Sequence, residues 1–213
     1  MNTFILIENG KPVGTTTFEN LEGYKVLPAP EGWDGNLERL KYENGQLTLI
    51  PEEEYIRLKK EKLKRERKQE ISRFTEDYIV NALSKLDEDL ADITSEAQVI
   101  EGRILYMAAK EGITITTDEV KQKIALFIAG SYTQEDAIKD LKDKGLSDET
   151  VQSILPLLAR AVEIAGILNW KEEIWQKEGE LEEQVDSMSL GNLLQLNVKK
   201  LCEEAYSQIK LEV

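Results

Sequence analysis

"LKYENGQLTLIPEEEYIRLKKEKLKRERKQEI", residues 40–71, decides the fold class. Up to Ile50 the apolar residues alternate, with Leu40 and Tyr42 before Asn44-Gly45 and Leu47 and Leu49 after it. Alternation around an Asn-Gly pair predicts a β-hairpin with a two-residue turn. At Pro51 the pattern changes. Proline suits a first helical turn, and Glu52, Glu53 and Glu54 stand where the helix dipole favours anions. A dense run of Lys, Arg and Glu follows at helical spacing. The chain is therefore expected to be α+β and mostly α: a small N-terminal β-hairpin unit, a charged helix, then a multi-helix body.

Towards the N-terminus, "FILIENGKPVG" repeats the plan around Asn9-Gly10. Pro12 lacks an N–H, so the second strand is confined to an edge or a bulge. The stretch between the hairpins, "VLPAPEGWDGN", carries two prolines and two glycines and reads as a loop with Trp33 at its tip. Two hairpins in 50 residues bury little surface, so this unit is expected to dock on something.

Towards the C-terminus the pattern is helical. Residues 52–91 read as one long helix with an exposed neck near 57–70, then a packed face of Ile71, Phe74, Tyr78 and Leu83. The next helix should face inward with Val99, Ile104, Leu105 and Ala108 and stop at Gly112. Thr116 and Glu119 form a capping box ahead of Val120, Ile124, Phe127 and Ile128. Thr133 caps "QEDAIKDLKDK", Gly145 closes it, and Ser147 caps "DETVQSIL". Pro156 begins or kinks the segment after it. The glycines at 130, 145, 179 and 191 read as helix ends. Six to eight helices are expected, divided as a docking unit over 1–50, a charged helical spacer over 51–70 and a helical domain over 71–213.

Composition narrows the chemistry. The 213 residues contain no histidine and one cysteine, Cys202. That excludes Ser-His-Asp and Cys-His catalysis, imidazole metal sites and an intrachain disulfide. Cys202, beside Leu201 in a helical pattern, reads as core. Net charge is −14, which opposes binding to nucleic acid or an anionic membrane. It is uneven: residues 1–50 carry net −3, 51–70 net +2 and 71–213 net −13. No apolar run approaches the ~20 residues of a membrane span, and no signal peptide is visible. A cytosolic site of synthesis is expected.

Candidate sites are few. "LDEDLADITSE" fails as a calcium loop, because position six from Asp87 is Asp92 and position twelve is Gln98; it reads as a helix surface. Glu178, Glu180, Glu182, Glu183 and Asp186 show no sign of the burial a working carboxylate needs. No phosphate-binding glycine loop is present. No catalytic residue, cofactor or metal is assigned. The run "RLKKEKLKRERK" reads as a solvated helix with interleaved acids. Trp170 and Trp175 read as core. Trp33 is either a partner anchor or folds back over its own thin β-layer, and sequence leaves both open. The interaction residues assigned are Trp33, Tyr42, Arg57, Lys60, Lys64 and Arg67.

The segment "ILIENGKPVG … VLPAPEGWDGNLERLKYENGQLTLIPEEE" resembles the opening of small tail-end proteins of tailed bacteriophages, among them tail-fibre assembly proteins and fibre-associated accessory proteins. The shared features are the Asn-Gly turn, the P-x-P-x-x-W loop and a Y-x-N/D-G-x-L hairpin entering a charged helix, over about residues 1–70. "FIAGSYTQEDAIKDLKDKGLSDETVQSIL" is similar to a short helical pattern in small proteins encoded near phage tail genes, without their usual tryptophan, and equally to ubiquitin-associated three-helix units. The first resemblance implies a non-catalytic phage structural or assembly protein that docks on a virion or tail component through its N-terminal β-unit. Its partners would be other virion or tail proteins in a symmetric multi-copy assembly, with no membrane and no nucleic acid, and it would pass from host cytoplasm to virion. The alternative is a soluble acidic helical regulator or inhibitor that binds a host protein.

Overall fold

The computed structural model describes residues 2–211. They are α+β and mostly α, 64% helical, with seven helices and a small antiparallel β-region at the N-terminal end. The chain divides into two compact units, Met1–Glu66 with Met188–Leu196, and Arg67–Ser187 with Asn197–Val213. The boundary falls within the charged helix, at Glu66/Arg67, where the sequence placed divisions at 50 and 70.

In the first unit, β1 (Phe4–Glu8) and β2 (Lys11–Thr16) form the expected hairpin. Asn9 and Gly10 take φ of 50° and 76°, the left-handed pair that matches the twist of the flanking strands. Pro12 acts on both expected counts. β2 is an edge strand, and its register slips between Leu6 and Ile7, which pair with Gly14 and Pro12 and leave Val13 as the bulged residue. The second hairpin, β4 (Leu40–Glu43) and β5 (Gln46–Leu49), sets Leu40 opposite Leu49 and Tyr42 opposite Leu47.

One strand was missed. β3 (Lys25–Pro28) pairs with β1 and makes a three-stranded sheet of order β2-β1-β3. Lys25, Val26 and Leu27 give it only three residues before Pro28, too few for alternation to register in sequence. The strand matters because it covers the second edge of β1. Ile5 and Ile7 are buried, and with Leu40 they form a core packed by Leu27, Ala29, Trp33, Leu37, Tyr42, Leu47 and Leu49.

α1 (Glu52–Ser84) begins where Pro51 predicts, and the Tyr55 amide bonds back to the Pro51 carbonyl. It ends seven residues before the expected 91. Asp87 takes a left-handed φ of 55°, and Asp89 caps α2 (Leu90–Lys110) by accepting from the Ala91 and Asp92 amides. The Asp-rich run is therefore a turn at Asp87, a cap at Asp89 and, as expected, helix surface at Asp92. Nor is 57–70 a uniformly exposed neck. Lys59, Lys60, Leu63, Lys64, Arg67 and Lys68 are half-buried, a stripe at helical spacing that leads into buried Ile71, Thr75, Ile79 and Leu83.

In the second unit, α2 turns in Ile93, Ile100, Ile104 and Ala108. Val99, expected inside, is exposed, because the buried face is set one residue along. α3 (Thr117–Ile128) and α4 (Gln134–Asp143) each open on a capping box, from Thr116 and Thr133. α5 (Asp148–Ser187) is a single 40-residue helix packed by α2, α3, α4 and α7 (Val198–Tyr206). Pro156 neither starts nor stops it; the Gln152 carbonyl deprived of a partner lies on the exposed side. Gly179 lies within α5 and Gly191 within the short α6 (Leu190–Gln195), so neither is a helix end. α5 is also long and apolar enough to cross a membrane by length and composition. The sequence reading missed this because Arg160 and Glu163 interrupt the run, and here only part of that apolarity is buried in the bundle. Trp170 is core; Trp175, five residues on, is 43% exposed beneath Lys171.

Candidate functional site

Trp33 resolves in favour of folding back. It is half-buried in the β-core, and its indole N–H donates to the Asn36 carbonyl at 2.9 Å. Tyr42 is likewise half-buried, with the Lys25 ammonium donating to its hydroxyl at 2.6 Å. On α1, Arg57 is exposed and only loosely paired with Glu54 at 4.0 Å. Lys64 lies 3.6 Å from Glu61, and Arg67 is bonded to Glu70 at 2.6 Å. Lys60 is half-buried. Trp33 and Tyr42 thus belong to the β-core, while Arg57, Lys60, Lys64 and Arg67 recur at helical spacing along α1.

The exposed apolar side chains of the β-region lie elsewhere. Val13, Phe18, Leu21 and Tyr24 are 45%, 67%, 41% and 39% exposed, all within the edge strand β2 and its connection to β3. The connection is held in shape. The Phe18 amide donates to the Thr16 hydroxyl at 3.1 Å, and the Tyr24 amide to the Leu21 carbonyl at 3.2 Å. Single exposed apolar residues are ordinary, and Tyr106 and Val80 in the helical unit are as exposed; what sets these four apart is their grouping within twelve residues of chain. The available sequence signal was the Phe18/Leu21/Tyr24 spacing between the two predicted hairpins. Strand addition at β3 is a poor route to such an interface. The Ala29 amide bonds to the Thr3 carbonyl, so by antiparallel alternation Val26 and Pro28 present their backbone outward, and Pro28 has no N–H to give.

The first unit also holds a groove of about 370 Å³ along the start of α1, with Ile50, Leu58 and Leu63 as its apolar lining and Glu38, Lys59, Lys62 and Glu66 among its polar residues. Its upper end is braced. The Tyr55 hydroxyl donates to Glu38 at 2.6 Å, and Lys59 donates to both Glu38 (3.1 Å) and Tyr55 (2.8 Å). Tyr55 first, then Lys59, hold the Glu38 carboxyl below its usual range. Arg39 fixes the other side, donating to the Ile50 carbonyl while pairing with Asp34 at 2.9 Å.

Several charges in the second unit tie helices together. Arg160 on α5 bridges Glu88 and Glu96 at 2.7 Å each and Glu163 at 3.3 Å. Glu111 at the end of α2 accepts from the Ser147 amide and hydroxyl and from Thr150, anchoring the start of α5. Asp140 on α4 takes Lys123 and the Tyr132 hydroxyl, which hold its carboxyl below the usual range. Among the described residues no group of three or more acidic or cysteine side chains is placed to hold a metal ion. An apolar groove of about 340 Å³ lies between α2, α3 and α5, lined by Ile100, Ile124, Ile128, Ile164 and Leu168 with Glu101 and Lys121 among its polar residues.

Cys202 is fully buried, and burial pushes its thiol up to about 11 from 9.0. The folded state thus holds this proton more tightly than the unfolded state. The resulting stability is complete below about pH 9 and is lost as pH rises through 11. A disulfide exchange reagent at pH 8 is expected to leave the native thiol unmodified and to titrate one thiol per chain in urea. Prompt native reaction would show that the α7 face is open.

No protein-family model matches this chain, and neither a curated protein nor a solved structure matches it.

Proposed function

We propose that this chain is a non-catalytic structural or assembly protein of a tailed phage, and that it docks on a virion or tail component through its N-terminal β-unit. The observation that carries the docking half is the exposure of Phe18, Leu21 and Tyr24 on a unit that already has its own core of Ile5, Ile7 and Leu40. Their exposure serves no packing need within the unit. The phage half is supported by the resemblance over residues 1–70. The competing reading, a soluble regulator or inhibitor of a host protein, is favoured by the α2/α3/α5 groove, which has the apolar lining of a helix-binding cleft.

The test is the distribution of the chain between soluble and particle fractions, after gradient purification from cells producing the particles its genome encodes. The wild type is expected in the particle fraction, and a Phe18→Asp/Tyr24→Asp variant of unchanged helicity in the soluble one. A wild type found only in the soluble fraction, or a double variant that sediments with particles as the wild type does, overturns the reading.

A further inference from the structure

In the second unit α3 packs on α5, and it buries little of itself in doing so. Val120 is the one buried residue of α3, whereas α4, two residues shorter, buries Ala137 and Leu141. Ile124, Leu126 and Phe127 are half-buried, and Ile128 is 41% exposed. Most of the apolar surface that α3 carries is thus only partly removed from water.

Open space lies on both flanks of α3. The groove of about 340 Å³ runs between it and α2, over Ala161, Ile164 and Leu168 of α5. A second groove, of about 480 Å³, runs past Phe127 of α3 and over Leu155, Leu158 and Val162 of α5. Both grooves are lined by α3 and α5, so α3 is what divides them. We propose that α3 is a detachable strap: it leaves α5 while α2 and α5 stay folded, and its departure joins the two grooves into one apolar trough along residues 155–168. The strap is independent of the docking element in the first unit.

The ties of α3 suit that motion. Its ion pairs run to α4 and the end of α4, from Lys123 to Asp140 and from Glu119 to Lys144 at 3.0 Å. The four side chains are 35–43% exposed, and ion pairs of that kind hold weakly. Among the described residues no ion pair or side-chain hydrogen bond ties α3 to α2 or α5. By contrast α2 is fastened to α5 towards both of its ends, by Glu96 to Arg160 and by Glu111 to Ser147 and Thr150. The ends of α3 are suited as well. Gly112 and Gly130 bracket it with left-handed φ of 76° and 65°. Each ends a helix, so α3 can leave without breaking the backbone hydrogen bonds of its neighbours.

At twelve residues, α3 is near the length below which an isolated helix is marginal in water. It is therefore expected to lose its backbone hydrogen bonds once it leaves, and amide exchange reads the motion. Residue-resolved exchange on the native full-length protein is the test. The amides of Lys121–Ile128 are expected to exchange at one shared rate, at least about a hundredfold faster than those of Ile100 and Ile104 on α2 and Ile164 and Ile167 on α5. Val120→Ala trims the single buried contact of α3 and is expected to raise that rate roughly tenfold, with α2 and α5 unchanged. Val120→Asp is expected to unfold α3 outright and to raise the fluorescence of anilinonaphthalene sulfonate, an apolar dye that enters the trough, while α5 keeps its protection. Wild-type α3 amides that exchange as slowly as those of α5 overturn the proposal, as does protection lost from α5 in Val120→Ala. So does a Val120→Asp protein whose α3 is unprotected but which takes up no more dye than the wild type. Where Val120→Asp fails to fold, the wild type and Val120→Ala decide.

Discussion

Tyr206→Ala is expected to destabilise the helical unit by about 3–5 kcal/mol, the range for removing a large aromatic side chain from a packed core. Tyr206 is fully buried on α7, and its ring lies 5.2 Å from that of Tyr78 and 6.3 Å from that of Phe74, centroid to centroid. Tyr78 in turn meets Trp170 at 6.2 Å. The tyrosine thus joins α7 to the second half of α1 and, through Tyr78, to α5. Its hydroxyl lies 2.5 Å from that of Thr75. The Thr75 proton is already committed to the Ile71 carbonyl at 2.9 Å, so Tyr206 is the donor between them. Tyr206→Phe removes only that hydrogen bond and leaves Thr75 with a partner; its cost is expected to be about 1 kcal/mol. Urea titration followed by near-ultraviolet circular dichroism reads the aromatic cluster directly. A loss below about 1 kcal/mol for Tyr206→Ala would mean that α7 does not close this core.

Ile5→Ala is expected to unfold the β-region while the helical unit stays intact. Ile5 is on the central strand, fully buried, and one of only three residues that make up the buried β-core. Losing it costs about 2–5 kcal/mol. A core of this size has little stability in reserve, whereas the second unit buries residues along the whole of α5. Hydrogen exchange by residue should show β1, β2 and β3 losing protection together, with α5 unchanged. The Trp33 indole N–H, held by the Asn36 carbonyl, should exchange at the same rate as those strands. Protection lost equally in α5 would show that the two units unfold as one. The need for a supporting surface that sequence assigned to a partner is met in part within the chain, because Met188–Leu196 and the start of α1 belong to the same compact unit as the strands.

Sequence by itself determined the elements whose signals are local. Asn-Gly at 9–10 and 44–45 specified both hairpin turns, since few other dipeptides take two left-handed φ values in succession. Thr116 and Thr133 specified helix starts through side chains that bond three residues on. Pro12 limited its strand to an edge or a bulge, and the lack of histidine restricted the chemistry before any fold was known. What tertiary structure decided were the pairings and choices of face that depend on distant residues. β3 is a strand because β1 is there to pair with it, and three residues before a proline carry no periodicity of their own. Thr75 is buried with its hydroxyl satisfied because Tyr206, 131 residues away, donates to it. Trp33 lies inward because the Asn36 carbonyl and the β-core are in reach, and Phe18 projects outward because that core is already filled by Ile5, Ile7 and Leu40. Burial is a property of what stands opposite a side chain, and a linear pattern does not carry that information.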